Sequence, residues 1–232
     1  IKTQLYDYPY VDKTHSQDNM DSPLDIIFMS NGESNADAHW DHLLKVTANV
    51  SNNTHRVDGV NGRLKLARHS ATVATTAWFF VINAKLKVNS EFDWSWQPDR
   101  MQESKYYIFN AINPINGLEY GHMAIVAWNK RLAMQDTDWG LDFVMSYEHE
   151  VVPINSGIAY YANDPWMAWR SAFREVLKLI DDNSGNVETG YRLSKWLSYN
   201  NTELGIWSQR GADDAVEYYE LVDGNFEKLK LS

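Results

Sequence analysis

Trp78-Phe79-Phe80-Val81-Ile82-Asn83-Ala84-Lys85 is the stretch that decides the fold. Its five large apolar residues form a run too short for a helix and suited to a buried strand. The run ends in two polar residues, Asn83 and Lys85, with one small residue between them. A positive charge at a strand end suits a negatively charged ligand, and a Lys ammonium can neutralise part of a diphosphate. The alternative is a surface lysine leaving the strand.

Upstream, residues 24–29 form a second short apolar run, another buried strand. It ends in Ser30-Asn31-Gly32-Glu33-Ser34-Asn35. Ser34 or Asn35 can cap a following helix, with Asp37 in its first turn and Trp40, Leu43, Leu44 and Thr47 on its apolar face. Residues 55–58 suit a short strand. A second helix is predicted from Asn61-Gly62 to about Thr75, with Leu64, Ala67 and Ala71 inward. Strand, helix, strand, helix, strand is the order of an α/β fold with a mainly parallel, Rossmann-like sheet flanked by helices. Ligands in such sheets sit beyond the carboxyl ends of the strands, where Ser30-Asn31-Gly32 and Asn83-Ala84-Lys85 both fall.

Downstream, residues 105–111 and 123–128 are predicted as strands, separated by the turn-rich segment 113–122. Residues 151–161 are extended around Pro153 and Gly157. Asp164-Pro165 starts a helix whose Trp166, Trp169, Phe173, Val176, Leu177 and Ile180 recur at helical spacing. Another helix covers about 188–197. The end reads as a β-hairpin, 216–222 with 226–231, joined through Asp223-Gly224. Residues 1–23 are expected to be an N-terminal arm. Residues 24–232 are expected to be one domain, with a helical and hairpin extension from about 165.

Ten Trp, thirteen Tyr and eight Phe in 232 residues must build the core or line a site. The absence of cysteine excludes disulfides and thiolate metal sites and fits a reducing cytoplasm. No run of about 18 apolar residues occurs, so no membrane span is expected. The net charge of −10 repels duplex DNA from the chain as a whole. Asp213, Asp214, Glu217, Glu220, Asp223 and Glu227 read as a solvated acidic face. Asn52-Asn53-Thr54 and Asn200-Asn201-Thr202 match the glycosylation pattern, which has meaning only after secretion.

Several residues could carry chemistry. Ser30-Asn31-Gly32 could hold a base or ribose, or be a simple strand-to-helix turn. His122 follows a glycine, and Glu148-His149-Glu150 sets an imidazole between two carboxylates; each could supply a base or a metal ligand. Arg170 and Arg174 share one helix face and could clamp phosphate, or pair with Asp164, Glu175 or Asp181. No P-loop, Gly-x-Gly-x-x-Gly, Gly-x-Ser-x-Gly or His-Glu-x-x-His pattern is present.

Five segments carry a resemblance: 28–33, 56–62, 78–85, 113–122 and 165–175. Through them the chain resembles a family of tailed-phage glycosyltransferases similar to those of base J type DNA modification. The likeness spans roughly residues 25–180 and is most specific in the last two segments. It implies a GT-A-like domain that binds a nucleotide-sugar and transfers the sugar to a hydroxyl, on a modified DNA base or a glycan, in the host cytoplasm. Relatives of this type are expected to hold manganese or magnesium with Asp-x-Asp at the strand end. This chain has Asn83 and Lys85 there, so the resemblance implies a donor site in which a divalent metal is doubtful. Its donor-binding residues would be Ser30, Asn31, Gly32, Asn83, Lys85, Arg170 and Arg174. Its catalytic candidates would be His122, Glu148, His149 and Glu150. The rival expectation is a GT-A-like domain that binds a glycan, nucleotide or virion partner without turnover.

Overall fold

The computed structural model describes residues 22–60, 63–135, 147–182, 186–198 and 200–222. The element order is β1 (Asp25–Ser30), α1 (Ala36–Val46), β2 (Thr54–Asp58), α2 (Arg63–Val73), β3 (Trp78–Asn83), β4 (Leu86–Val88), β5 (Tyr106–Ile112), β6 (Glu119–Asn129), α3 (Lys130–Met134), β7 (His149–Ala159), α4 (Pro165–Asp181), α5 (Val187–Trp196) and α6 (Glu203–Leu221). The α/β class expected from the sequence is what the chain adopts.

The seven strands form one sheet in the order β2-β1-β3-β6-β5-β7-β4. β1 runs parallel to β2 and β3, as the strand–helix–strand order requires. β6 is antiparallel to both β3 and β5, β7 is parallel to β5, and β4 is antiparallel to β7. Half of the pairings are thus parallel, and the sheet is mixed. β4 follows β3 after two residues yet pairs with the end of β7, four strands away in the order. The sheet must therefore curl so that the end of β7 returns to the end of β3.

β3 lies inside the sheet between β1 and β6, and both of its faces are buried. Phe80 and Ile82 join one core with Phe28, Leu43, Phe92, Trp94 and Phe109. Phe79 and Val81 join the other with Ile27, Met29, Ala67, Ala71 and Tyr106. A third core lies within the helical layer, where Ala172, Val176 and Leu179 of α4 meet Trp196, Ala212 and Ala215. Asp164 starts α4 as expected: its Oδ1 accepts from the Met167 amide at 2.8 Å, with Pro165 in the first turn. The Asn35 cap is not made through its side chain.

The terminal hairpin is corrected by the structure. Residues 216–221 are the last turns of α6, and residues 226–231 lie outside the described residues. The sequence there is rich in strand-favouring Val and Tyr, but tertiary packing decides in favour of the helix. Gly211 lets α6 approach α4 so closely that a Cβ would stand 2.2 Å from the Trp169 carbonyl oxygen. The expected N-terminal arm also lies outside the described residues, apart from Ser22 and Pro23. Both glycosylation-pattern asparagines are used internally. Asn52 donates to the carbonyls of Leu24 and Trp94, and Asn200 donates to that of Ile115.

Candidate ligand-binding edge

β1, β2 and β3 end side by side at one edge of the sheet. Ser30 closes β1 and is buried, and its hydroxyl accepts from the Gly32 amide at 3.3 Å. Asn31 is exposed, and its amide donates to the Glu33 carboxylate at 2.7 Å. Gly32 has φ +86°, a conformation that side chains with a Cβ rarely adopt. Gly59, just past β2, donates to the Ser30 carbonyl at 2.9 Å. Ala84, just past β3, donates to the Met29 carbonyl at 2.8 Å. Two backbone hydrogen bonds thus tie the three strand ends together.

Asn83 and Lys85 form a tight polar turn. The Asn83 side-chain oxygen accepts from the Lys85 amide at 2.9 Å. The Lys85 carbonyl accepts from the Tyr160 amide at 2.8 Å. The Lys85 side chain is half-buried, and its Nζ stands 5.4 Å from the centre of the Tyr161 ring. No ion pair engages this ammonium among the described residues. The residue between Asn83 and Lys85 is small for a visible reason. Ala84 is fully buried, and its carbonyl accepts from His39 Nδ1 at 2.6 Å. His42, one turn further along α1, donates Nε2 to the Val88 carbonyl at 2.8 Å. α1 therefore grips both ends of the stretch 84–88 that carries Lys85 and β4, and these bonds select the Nδ1–H tautomer of His39 and the Nε2–H tautomer of His42.

Tyr161 links Lys85 to His122. The His122 ring is centred 4.5 Å from that of Tyr161 and 5.6 Å from that of Tyr120. Arg192 of α5 lies over Tyr120, 5.0 Å from its centre, and also reaches Glu175 at 3.8 Å. Burial, reinforced by the Glu175 charge and opposed by Arg192, pushes the Tyr120 hydroxyl well above its ordinary range. Beside β2, Arg56 bridges Asp37 at 2.7 Å and Asp58 at 3.1 Å. The hydrogen bond to Asp37 leads in holding its guanidinium above its usual pKa, with Asp58 adding to it.

The structure thus brings Ser30, Asn31, Gly32, Asn83 and Lys85 to one edge, with His122 one ring away from Lys85. It does not bring Glu148, His149 and Glu150 there. They sit at the start of β7, whose 11 residues separate them from the curled end by about 30 Å at roughly 3.3 Å per residue. His149 stacks on Tyr106 at 5.4 Å, and Glu150 pairs with Lys105 at 2.5 Å. Glu148 is exposed and offers its carbonyl to the Tyr106 amide. Arg170 and Arg174 are exposed on α4, and Glu175 meets Lys178 and Arg192 rather than either of them. Sequence reading missed His39, His42, Tyr160 and Tyr161. The available signal was that His39 and Leu43, four apart, share the inward face of α1.

Asn83 and Lys85 do not fit a divalent cation. The amide oxygen is already an acceptor, and the ammonium would repel the ion. Among the described residues no three His, Asp or Glu side chains converge to hold a metal. No helix among them is long and apolar enough to cross a membrane.

No family model matches the chain, and neither does any curated protein. Solved structures give distant likenesses. A glycosyltransferase involved in glycosylation of the major capsid of PBCV-1 is 10% identical, with 56% of this chain and 82% of that chain covered and a TM-score of 0.37. The 4-diphosphocytidyl-2C-methyl-D-erythritolsynthase from Anaerococcus prevotii is 9% identical over 60% of this chain and 94% of that one, with a TM-score of 0.36. HddC from Yersinia pseudotuberculosis is 15% identical over 57% of this chain and 69% of that one, with a TM-score of 0.32.

Proposed function

We propose that this edge binds the diphosphate of a nucleotide-sugar and that the chain is a GT-A-like glycosyltransferase or a divergent relative. The observation that carries the proposal is Lys85, a half-buried cation at the carboxyl end of β3 that faces a ring and has no carboxylate partner among the described residues. Such a group is available to an anionic ligand, and low local dielectric strengthens that interaction. In the proposed reaction an acceptor hydroxyl attacks the anomeric carbon. The bond from that carbon to the nucleoside diphosphate breaks, and Lys85 stabilises the negative charge on the departing oxygen. His122 takes the hydroxyl proton. The acceptor class is a hydroxyl on a modified DNA base or a glycan, and the phage setting rests on the resemblance alone. Arg170 and Arg174 take no part in this scheme.

A second reading, binding without turnover, is favoured by one observation. The carboxylates expected to serve as a base, Glu148 and Glu150, stand at the opposite edge. Titration of UDP-glucose with and without EDTA, followed by a hydrolysis assay, separates the two readings. Binding in EDTA with turnover that His122→Gln abolishes supports the transferase. Binding without turnover supports the second reading. Lys85→Ala should weaken nucleotide-diphosphate binding by about 1.5–3 kcal/mol, the range for hydrogen bonds to charged groups. Unchanged affinity in that variant removes the basis of both.

A further inference from the structure

The helical layer carries a second feature that the edge chemistry does not use. Trp166, Trp169 and Phe173 of α4 stack in sequence, with ring centres 5.2 and 4.9 Å apart and planes within 15° and 19°. Tyr218 of α6 leans on Phe173 at 5.7 Å and 58°. Between the two helices runs a groove of about 540 Å³ lined by Trp169, Phe173, Tyr218, Asp214, Glu217 and Leu221. Its charged lining is carboxylate alone. Asp214 is oriented by the Trp169 indole, which donates to it at 2.6 Å, while Glu217 is exposed.

Apolar side chains are open to solvent on the same helices. Among the described residues nine large hydrophobic side chains are exposed, and five of them lie on α4, α5 and α6: Trp166, Val187, Tyr191, Ile206 and Leu221. Trp166 at the head of the stack is 62% exposed, and Leu221 at the far end of the groove is 83% exposed. Trp166 and Leu221 thus leave apolar surface open at the two ends of this feature.

We infer that this groove receives a basic side chain, Arg or Lys, of a partner polypeptide with apolar residues beside it. The aliphatic stem would lie along Phe173, Tyr218 and Leu221, and the charged head would reach Glu217 and Asp214. Charge selects this occupant. An anionic partner would meet two carboxylates, and a second copy of this chain would bring a net charge of −10 against −10. A sugar would need open ring faces, whereas the stacked rings cover one another and leave the groove mainly ring edges. Aromatic rings on the same layer already accept cations in this way. Arg210 lies 5.0 Å over Trp207 and Lys195 lies 5.6 Å over Tyr191.

Calorimetric titration of the full chain with an end-capped peptide of alternating Leu and Arg tests the inference. Saturable binding, weakened at least tenfold by Glu217→Lys and also by Leu221→Ser, is expected. Neutralising an exposed acid elsewhere, as in Glu91→Gln, should leave the affinity unchanged. Equal weakening by Glu91→Gln would reduce the effect to general charge attraction and overturn the inference. So would binding indifferent to Glu217→Lys and Leu221→Ser, no saturable binding, or preference for a neutral maltohexaose or a Leu–Glu peptide. Glu217 and Leu221 face solvent, so both variants are expected to fold, and circular dichroism checks this.

Discussion

The two ends of the sheet treat a charged side chain in opposite ways. At the amino end, Asp25 is completely buried and its carboxylate accepts from four donors: the Thr75 amide and hydroxyl, the Thr76 amide and the Asn53 side chain. At the carboxyl end, Lys85 is half-buried and rests against a ring face. A buried charge surrounded by fitted partners fixes structure, because each donor would be left unsatisfied without it. A partly buried charge without a counterion keeps its interaction energy for something that arrives.

The comparison breaks most sharply if Asp25 is removed. Asp25→Ala should destabilise the fold by about 1.5–3 kcal/mol, the range for hydrogen bonds to a charged group, since the part-buried donors of Thr75, Thr76 and Asn53 lose a buried acceptor. Urea unfolding measures this. Lys85→Ala should cost less than about 1 kcal/mol of stability, the range for a cation over a ring at a partly exposed site. Asp25→Ala should lose stability while its folded fraction keeps nucleotide affinity, and Lys85→Ala should do the reverse. A Lys85 variant as unstable as the Asp25 variant would show that both ends are structural.

His39 lies between these extremes. It is buried and polar, yet it spends its hydrogen bond on the strand-end turn that carries Lys85. His39→Ala leaves the Ala84 carbonyl without its donor and should cost about 1–3 kcal/mol. Nucleotide affinity should fall with it, and His39→Gln, which can still donate, should restore part of both. His42→Ala, at a half-buried position, should cost less. Loss of stability in His39→Ala with affinity intact would make the histidine a core residue only.

The sequence made this contrast half visible. β1 and β3 were legible because short apolar runs, four residues at 26–29 and five at 78–82, suit little else than buried strands. The strand-end residues followed directly, and Asn83 and Lys85 stand where the run stops. What surrounds Lys85 was hidden because its neighbours are distant in the chain. Tyr161 comes from beyond β7, and β4 is too short for any periodicity to reveal. The terminal hairpin failed for the same kind of reason. Val216 to Leu221 is rich in strand-favouring Val and Tyr, but Gly211 and Ala215 dock on α4 and carry the helix through.

Tyr120 sharpens the picture of the carboxyl side through pH. Burial raises its pKa, so above about pH 10, the ordinary tyrosine value, the unfolded chain releases a proton that the folded chain retains. Its contribution is fully present below that pH and is lost as pH rises. Tyr120→Phe should therefore flatten the alkaline fall in stability by up to about 1.4 kcal/mol per pH unit, the value of one proton. Tyr107, whose pKa burial also raises, keeps a residual slope in the variant. An unchanged slope would mean that the Tyr120 ring is solvated in solution.

The smallest effect is expected where the sequence suggested catalysis. Glu150 pairs with Lys105 at the start of β7, and this hydrogen bond leads in raising the lysine pKa. A raised lysine pKa adds stability that is present below the unfolded value of about 10.4 and is lost as pH climbs through the folded one. Glu150→Gln should therefore be slightly less stable than the parent at neutral pH, and the gap should close in strong alkali. Lys105 is buried but Glu150 is open to solvent, and water screening on that side keeps the contribution of the pair small. More telling is what should not change: nucleotide affinity and any turnover should match the parent, because some ten extended residues lie between Glu150 and the curled end of β7. A Glu150→Gln variant that lost turnover while Lys85→Ala kept its affinity would move the working edge of the sheet to its other end.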